Sequence, residues 1–135
     1  MKTYKTLVVW QKGIDLVESV YRVTNTFPES EKFNLTSQLR RCAVSIPSNI
    51  AEGHGCKSSA EFSRFLKKAF GSSSELETQP LIAFRLKMIS KKEYDELSEL
   101  LTYVRKMLSS LIAKTTKTTK TTKTTKTTKT TKTNN

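Results

Sequence analysis

Metal ligands are what this sequence has least of. Histidine occurs once, at His54, and cysteine twice, at Cys42 and Cys56. Two separated thiols and one imidazole fall short of a structural zinc set, and no cofactor is expected. Cys42 falls on an apolar helical stripe and Cys56 in a loop, which favours a reduced pair over a disulfide. Glycine is also scarce: the four residues at 13, 53, 55 and 71 match no phosphate-cradling loop. Glu75 and Glu77 stand two apart on a helix, point in different directions and make a poor acid–base pair. Glu52 and His54 beside a serine such as Ser45 are the enzyme-like alternative, but a lone histidine between Gly53 and Gly55 has the ordinary role of a solvated turn residue. The chain therefore reads as not an enzyme, with no small-molecule substrate. No stretch approaches 18 continuous apolar residues, so no transmembrane helix and no membrane partner are expected. The stretch Met1–Thr6 leads into an apolar patch of four residues, too short for a signal peptide. A cytoplasmic location is the expectation.

Positive charge is abundant. Lysine and arginine number 24 against 12 acidic residues, a net charge of +12 over 135 residues. All 12 acids and 17 of the cations lie in residues 1–113, leaving that part at +5; seven lysines and no acid give residues 114–135 the other +7. That last segment reads Lys-Thr-Thr six times and then Lys-Thr-Asn-Asn. It has no apolar residue to bury, and threonine is a poor helix former, so a disordered tail is expected. Such perfect repetition reads equally as the expansion of a short DNA repeat and as a selected basic arm. Residues 1–113 form the folding unit, long enough for a core without disulfides or metals. The charge favours polyanionic partners, RNA and DNA ahead of acidic membranes. Solubility is the plainer use of the same lysines.

Four helical periodicities follow one another. Helix one is expected over residues 7–26, with a seam of Leu7, Trp10, Ile14, Val17, Tyr21 and Thr24. A second stripe, Val9, Leu16, Val20, Val23 and Phe27, implies a deep position in a bundle or a face turned to another subunit. Phe27-Pro28 ends the helix, and Asn34 suits a left-handed turn in the connection. Helix two spans 35–52, with Leu35, Leu39, Cys42, Ile46 and Ile50 on one stripe, and stops at Gly53 and Gly55. Pro47 inside it removes an amide donor and presses on the Ala43 carbonyl, which costs roughly 3 kcal/mol in an exposed helix. Ser45, Ser48 and Asn49 are candidates to repair it. Helix three opens on a capping box, Ser58 and Glu61, with a seam of Phe62, Phe65, Ala69, Ser72, Leu76, Gln79, Ala83 and Leu86. Small residues Ala69, Gly71, Ser72 and Ser73 would admit a close neighbour, and Pro80 predicts a kink near Gln79. Helix four opens on a second box, Ser90 and Glu93, carries Tyr94, Leu97, Leu101, Val104, Leu108 and Leu111, and is expected to fade near Ala113. The fold class is all-α: an antiparallel up-and-down four-helix bundle with a disordered C-terminal tail.

Particular words in the sequence go beyond periodicity. Trp10-Gln11-Lys12, Phe27-Pro28, the run from Leu35 to Arg41, Ser45-Ile46-Pro47-Ser48-Asn49-Ile50-Ala51-Glu52-Gly53, and Glu75-Leu76-Glu77-Thr78-Gln79 resemble a bacterial family. It is the four-helix-bundle family encoded in intervening sequences of 23S rRNA genes, sometimes called the S23 ribosomal protein family. The resemblance covers about residues 4–112, and Pro47, Asn49, Glu52 and Gly53 form its structural motif. Asn34, where the family usually has glycine, and Pro80, where it has an aliphatic residue, depart from the pattern. The resemblance implies a homopentamer of bundles. It also implies kinship with an accessory protein of diversity-generating retroelements, which binds nucleic acid and partners a reverse transcriptase.

The candidate nucleic-acid-binding residues are Arg40, Arg41, Arg64, Lys67 and Lys68, with Lys5, Lys12 and Arg22 along helix one. Arg40 and Arg41 are adjacent, so at most one faces inward, where it would pair with Glu52, Glu75 or Glu77. The function expected is non-enzymatic binding of RNA or DNA by a basic, oligomeric bundle. The alternative is a protein-interaction scaffold or accessory subunit, for example to a reverse transcriptase, without nucleic-acid specificity of its own.

Overall fold

Leu35, Leu39, Cys42, Ile46 and Ile50 are all buried on one face of the second helix, as their spacing requires. They belong to a computed structural model that describes residues 3–134, with side chains as far as Lys117. Four helices make up the bundle: α1 (Val8–Thr24), α2 (Leu35–His54), α3 (Ser59–Arg85) and α4 (Lys91–Asn134). Short 3-10 turns precede α1 (Tyr4–Thr6) and bridge α1 to α2 (Glu29–Glu31). There is no strand among the described residues. Each helix packs on its neighbours in chain order and α4 closes the ring on α1, while the diagonal pairs do not meet.

Cross-helix bonds fix the antiparallel register. At one end Arg40 Nε donates to Thr24 Oγ1 at 2.9 Å, and the rings of Phe84 and Tyr94 stack at 5.2 Å. Near the middle the Ser72 hydroxyl donates to Ser45 Oγ at 2.9 Å, and Arg105 bonds Ser73 and Ser74. At the other end Ser63 Oγ and Thr116 Oγ1 lie 3.2 Å apart. The second capping box forms in full, Ser90 and Glu93 satisfying each other's amides; the first forms by half, with Glu61 N bonded to Ser58 Oγ while the Glu61 carboxylate turns to Arg64.

The two stripes of α1 are exchanged relative to expectation. Leu16 and Val20 are fully buried with Val9 and Val23, whereas Leu7, Trp10, Ile14 and Val17 are only partly covered and Tyr21 is exposed; at the end of the helix Thr24 of the expected seam is buried and Phe27 half-covered. Gly13 explains the orientation. It lies on the buried side, where a Cβ would stand 3.5 Å from Pro47 Cβ, so α1 approaches α2 at its proline. The aliphatic row goes inward and the aromatic residues with polar tips take the rim. Pro47 and Pro80 are both buried, and α3 runs from Ser59 to Arg85 as one helix through Pro80. Ser45 does not turn back on its own helix. Its hydroxyl accepts from Ser72 and from Asn49 Nδ2 at 2.9 Å, so this pair ties α2 to α3, and Ser48 is exposed.

Other local expectations also change. Gly53 lies inside α2 and Gly55 caps it at φ −77°, so neither supplies a left-handed turn. Asn34 has φ −117°; the positive-φ residue is Lys87, at 62°, in the turn between α3 and α4. On α3, Leu86 is 60% exposed and Gly71 meets nothing within 4 Å, while Ser63, Leu66, Ser73 and Pro80 join the buried side. The helix-four row is as expected, with Leu97, Leu101, Val104 and Leu108 buried.

The end of α4 corrects the boundary at Ala113. The helix continues through the first Lys-Thr-Thr unit, where Thr115 is buried and its hydroxyl donates to the Leu111 and Ile112 carbonyls. Elongating an existing helix has no nucleation cost, and contact with Ser63 holds this turn against α3. Helix therefore replaces the disorder expected at residues 114–117; the expectation for the tail from residue 118 on falls on side chains outside the described residues.

Candidate nucleic-acid interface

An antiparallel ring brings the start of α1, the end of α2, the start of α3 and the end of α4 to one pole. That connectivity sorts the charges. Lys5, Lys57, Arg64, Lys67, Lys68, Lys114 and Lys117 gather at this pole, with Lys12, Arg105 and Lys106 nearer the middle of the same half. Of the 12 acidic residues of the chain, only Asp15, Glu52 and Glu61 lie in this half; the other nine lie in the opposite one. Arg22, Lys32, Arg40, Arg41, Arg85, Lys87, Lys91 and Lys92 share that second half with them. The bundle is thus basic at the end from which α4 projects and close to neutral at the other.

The sequence candidates divide accordingly. Arg64, Lys67, Lys68 and Lys5 come together at the basic pole; Arg22, Arg40 and Arg41 do not join them. Arg64 lies across the Phe65 ring at 4.7 Å, and the Lys68 ammonium lies 4.8 Å from the same ring. These contacts spread two cations over one aromatic base and fix their stems. Arg64 also bonds the Glu61 carboxylate at 2.9 Å. That hydrogen bond, and then the guanidinium charge, holds the Glu61 carboxyl below its ordinary value and raises Arg64 in return. Both groups are exposed, so the pair opens readily to a stronger anion. Lys67 is exposed and has no ion pair among the described residues. Lys12 is engaged with Asp15 at 3.7 Å.

Arg40 and Arg41 split as adjacent residues on a helix must. Arg41 is exposed, and Arg40 leans on α1, bonded to Thr24 and lying 4.5 Å from the Tyr21 ring centre. Neither pairs with Glu52, Glu75 or Glu77; Glu77 faces Arg105 at 3.6 Å, and Glu75 Oε2 accepts from the Cys42 thiol at 3.3 Å. Burial, and next that hydrogen bond, pushes the Cys42 thiol above its ordinary value of 9.0. Both cysteines are free. Lys57, Lys106, Lys114 and Lys117 are further cations of this half that sequence patterning passed over, because each is unremarkable in its own segment. The signal was available in the connectivity, since four antiparallel helices place those positions at one end.

Among the described residues no cluster of three or more His, Cys, Asp or Glu is placed to hold a metal ion, and no helix is long and apolar enough to cross a membrane. A family model described as 23S rRNA-intervening sequence protein matches residues 5–110. A similar solved structure is the 1.70 Å crystal structure of a protein of unknown function from the S23 ribosomal protein family of Bacteroides thetaiotaomicron VPI-5482. The two superpose with a TM-score of 0.70 at 26% sequence identity, over 78% of this chain and 98% of that one. No curated protein matches the chain.

Proposed function

The chain belongs to the 23S rRNA-intervening sequence protein family, and we propose that it is a non-enzymatic, oligomeric bundle that binds RNA or DNA through its basic pole. The observation that carries this reading is the segregation of charge. Lysines and arginines of the 3-10 turn before α1, the α2–α3 connection, α3 and α4 converge where only Glu52 and Glu61 stand near them, and the Lys-Thr-Thr repeat continues the chain from the same end. Such a surface draws phosphates by counterion release, without sequence readout. Oligomerisation is supported by the half-covered row of Leu7, Trp10, Ile14 and Val17 on α1. Beside it an open groove of about 800 Å3 runs along α4 past Lys12, Leu100, Tyr103 and Lys106.

The test is fluorescence anisotropy with labelled RNA and DNA across a salt series, using the full chain and a form ending at Lys117. The shortened protein is expected to bind at about 50 mM salt and to lose affinity steeply by about 200 mM. Changing Lys67 and Lys68 to glutamine is expected to lower the salt slope by about two units. If the form ending at Lys117 does not bind, the bundle is not the interface. The scaffold reading then takes its place, supported by Phe33, which is 86% exposed at the opposite pole.

A further inference from the structure

Two arginines, Arg40 and Arg105, are half-buried, and the bundle treats them differently. Arg105 reaches from α4 to α3, where Nη1 donates to the Ser73 and Ser74 hydroxyls at 2.9 Å and Nη2 lies 3.6 Å from the Glu77 carboxylate. Its charge is compensated. Arg40 has no carboxylate partner among the described residues. Its Nε donates to Thr24 Oγ1 at 2.9 Å and its guanidinium lies against Tyr21, yet neither Nη has a partner. Thr24 cannot turn away, because its own hydroxyl proton is committed to the Val20 carbonyl at 2.7 Å. No acid occurs on α2 between Leu35 and Ala51, and Glu18, the acid one turn before Tyr21 on α1, makes no ion pair.

Neither Nη of Arg40 is buried, so its unpaired edge is open to solvent and to a ligand. Here the guanidinium is also immobilised on two sides, so gripping a ligand costs little further side-chain entropy. The edge left over carries two N–H donors in the fork that matches a tetrahedral anion. We propose that Arg40, held by Thr24 and Tyr21, is a phosphate-binding site separate from the basic pole. Arg22 and Arg41, each one residue further along its helix and exposed, raise the positive potential around it without a carboxylate partner. The phosphate is carried by a nucleic-acid backbone or is free. The nucleic-acid case rests on the function proposed above. About 21 Å of α2 separates Arg40 from the basic pole at 1.5 Å per residue, so a stacked strand touching both spans about six nucleotides at 3.4 Å each.

The experiment uses the full chain and four variants, Arg40→Lys, Thr24→Val, Arg85→Gln and the double variant Lys67→Gln/Lys68→Gln, each checked by melting. The probes are a labelled oligouridylate of about 20 nucleotides, read by anisotropy, and inorganic phosphate, read as a melting shift against chloride of equal ionic strength. Arg40→Lys keeps the charge and loses the fork, and is expected to weaken oligonucleotide binding about tenfold. Thr24→Val leaves the charge and releases the guanidinium, and is expected to weaken it in the same direction. Arg85, an exposed arginine outside the site, is the control and is expected to change binding less than about twofold. Wild-type affinity in both Arg40→Lys and Thr24→Val, beside weakened Lys67→Gln/Lys68→Gln, overturns the Arg40 site and leaves the basic pole standing. If the wild type binds no oligonucleotide, the nucleic-acid reading fails. In that case a phosphate-induced melting shift lost in Arg40→Lys upholds the site for free phosphate, and no shift overturns it. A fall in oligomeric mass in Arg40→Lys, with no effect on either probe, also overturns it, by assigning the fork to a carboxylate of a partner protein.

Discussion

A methyl group added at Gly53 would stand 2.7 Å from Phe65 Cβ and 3.0 Å from Phe62 Cδ1, whereas one added at Gly71 would meet nothing within 4 Å. The consequences for stability are opposite. Gly53→Ala must push α3 away at a backbone-proximal atom and is expected to destabilise by about 1–3 kcal/mol. Gly71→Ala removes backbone entropy from an exposed helix position and is expected to stabilise by about 1 kcal/mol. Chemical denaturation of the two variants separates these roles; equal effects of the two would contradict the packing at the α2–α3 turn. Sequence alone read Gly53 as a helix stop and Gly71 as a small residue admitting a close neighbour, the reverse of their packing, because close approach is a property of two helices at once. The thiols differ in the same way. Cys42 is buried and its thiol is raised above 9.0, whereas Cys56 is half-covered. A raised value in the fold means that the folded state holds the proton more tightly. The stabilisation is therefore complete below the ordinary value of 9.0 and is lost as pH rises through the raised value. A thiol-selective reagent at about pH 8 is expected to modify Cys56 well ahead of Cys42, with the difference abolished in denaturant. Equal rates in the native protein would place Cys42 outside the core.

At the scale of the helix, α2 and α4 were legible and α1 was only half so. A single apolar row with polar neighbours, such as Leu97–Leu101–Val104–Leu108, has one way to face a core. Helix α1 carries two rows of equal periodicity, and only the meeting of Gly13 with Pro47 decides between them. The boundary of α4 at Ala113 was set one turn too early for another reason: composition scored the first Lys-Thr-Thr unit as unable to fold, but Thr115 and Thr116 are held by the helix already formed and by Ser63. Ending the chain after Lys117 is expected to leave the melting temperature unchanged. Ending it after Ala113 removes one buried threonine and one bond to α3, and is expected to cost about 1 kcal/mol. Comparing the two melts isolates residues 114–117. A large loss from the first truncation would show that residues beyond 117 pack against the domain.

For the whole molecule, the separation of charge and the half-covered α1 row need to be considered together. A basic pole on one bundle offers a few phosphate contacts; several bundles side by side with their poles aligned would offer a continuous surface, and the salt dependence would steepen with each subunit that engages. The row that would join them, Leu7, Trp10, Ile14 and Val17, lies along the flank of the bundle and not at its ends. Association through it therefore leaves every pole open. A closed ring formed this way needs the same patch to meet a different surface on its neighbour, and the groove beside Leu100 and Tyr103 on α4 offers one. Val17→Glu puts a charge on this flank at a site only partly covered in the single bundle, so it should spare the fold and break the assembly. Light scattering is expected to give several times the 15.3 kDa chain mass for the wild type and the chain mass for Val17→Glu. The variant's melting curve should be independent of protein concentration and its salt slope for RNA shallower. A wild type that is monomeric at micromolar concentration, or a Val17→Glu variant that keeps the wild-type mass, removes α1 as the joining surface. The basic pole would then have to act one bundle at a time.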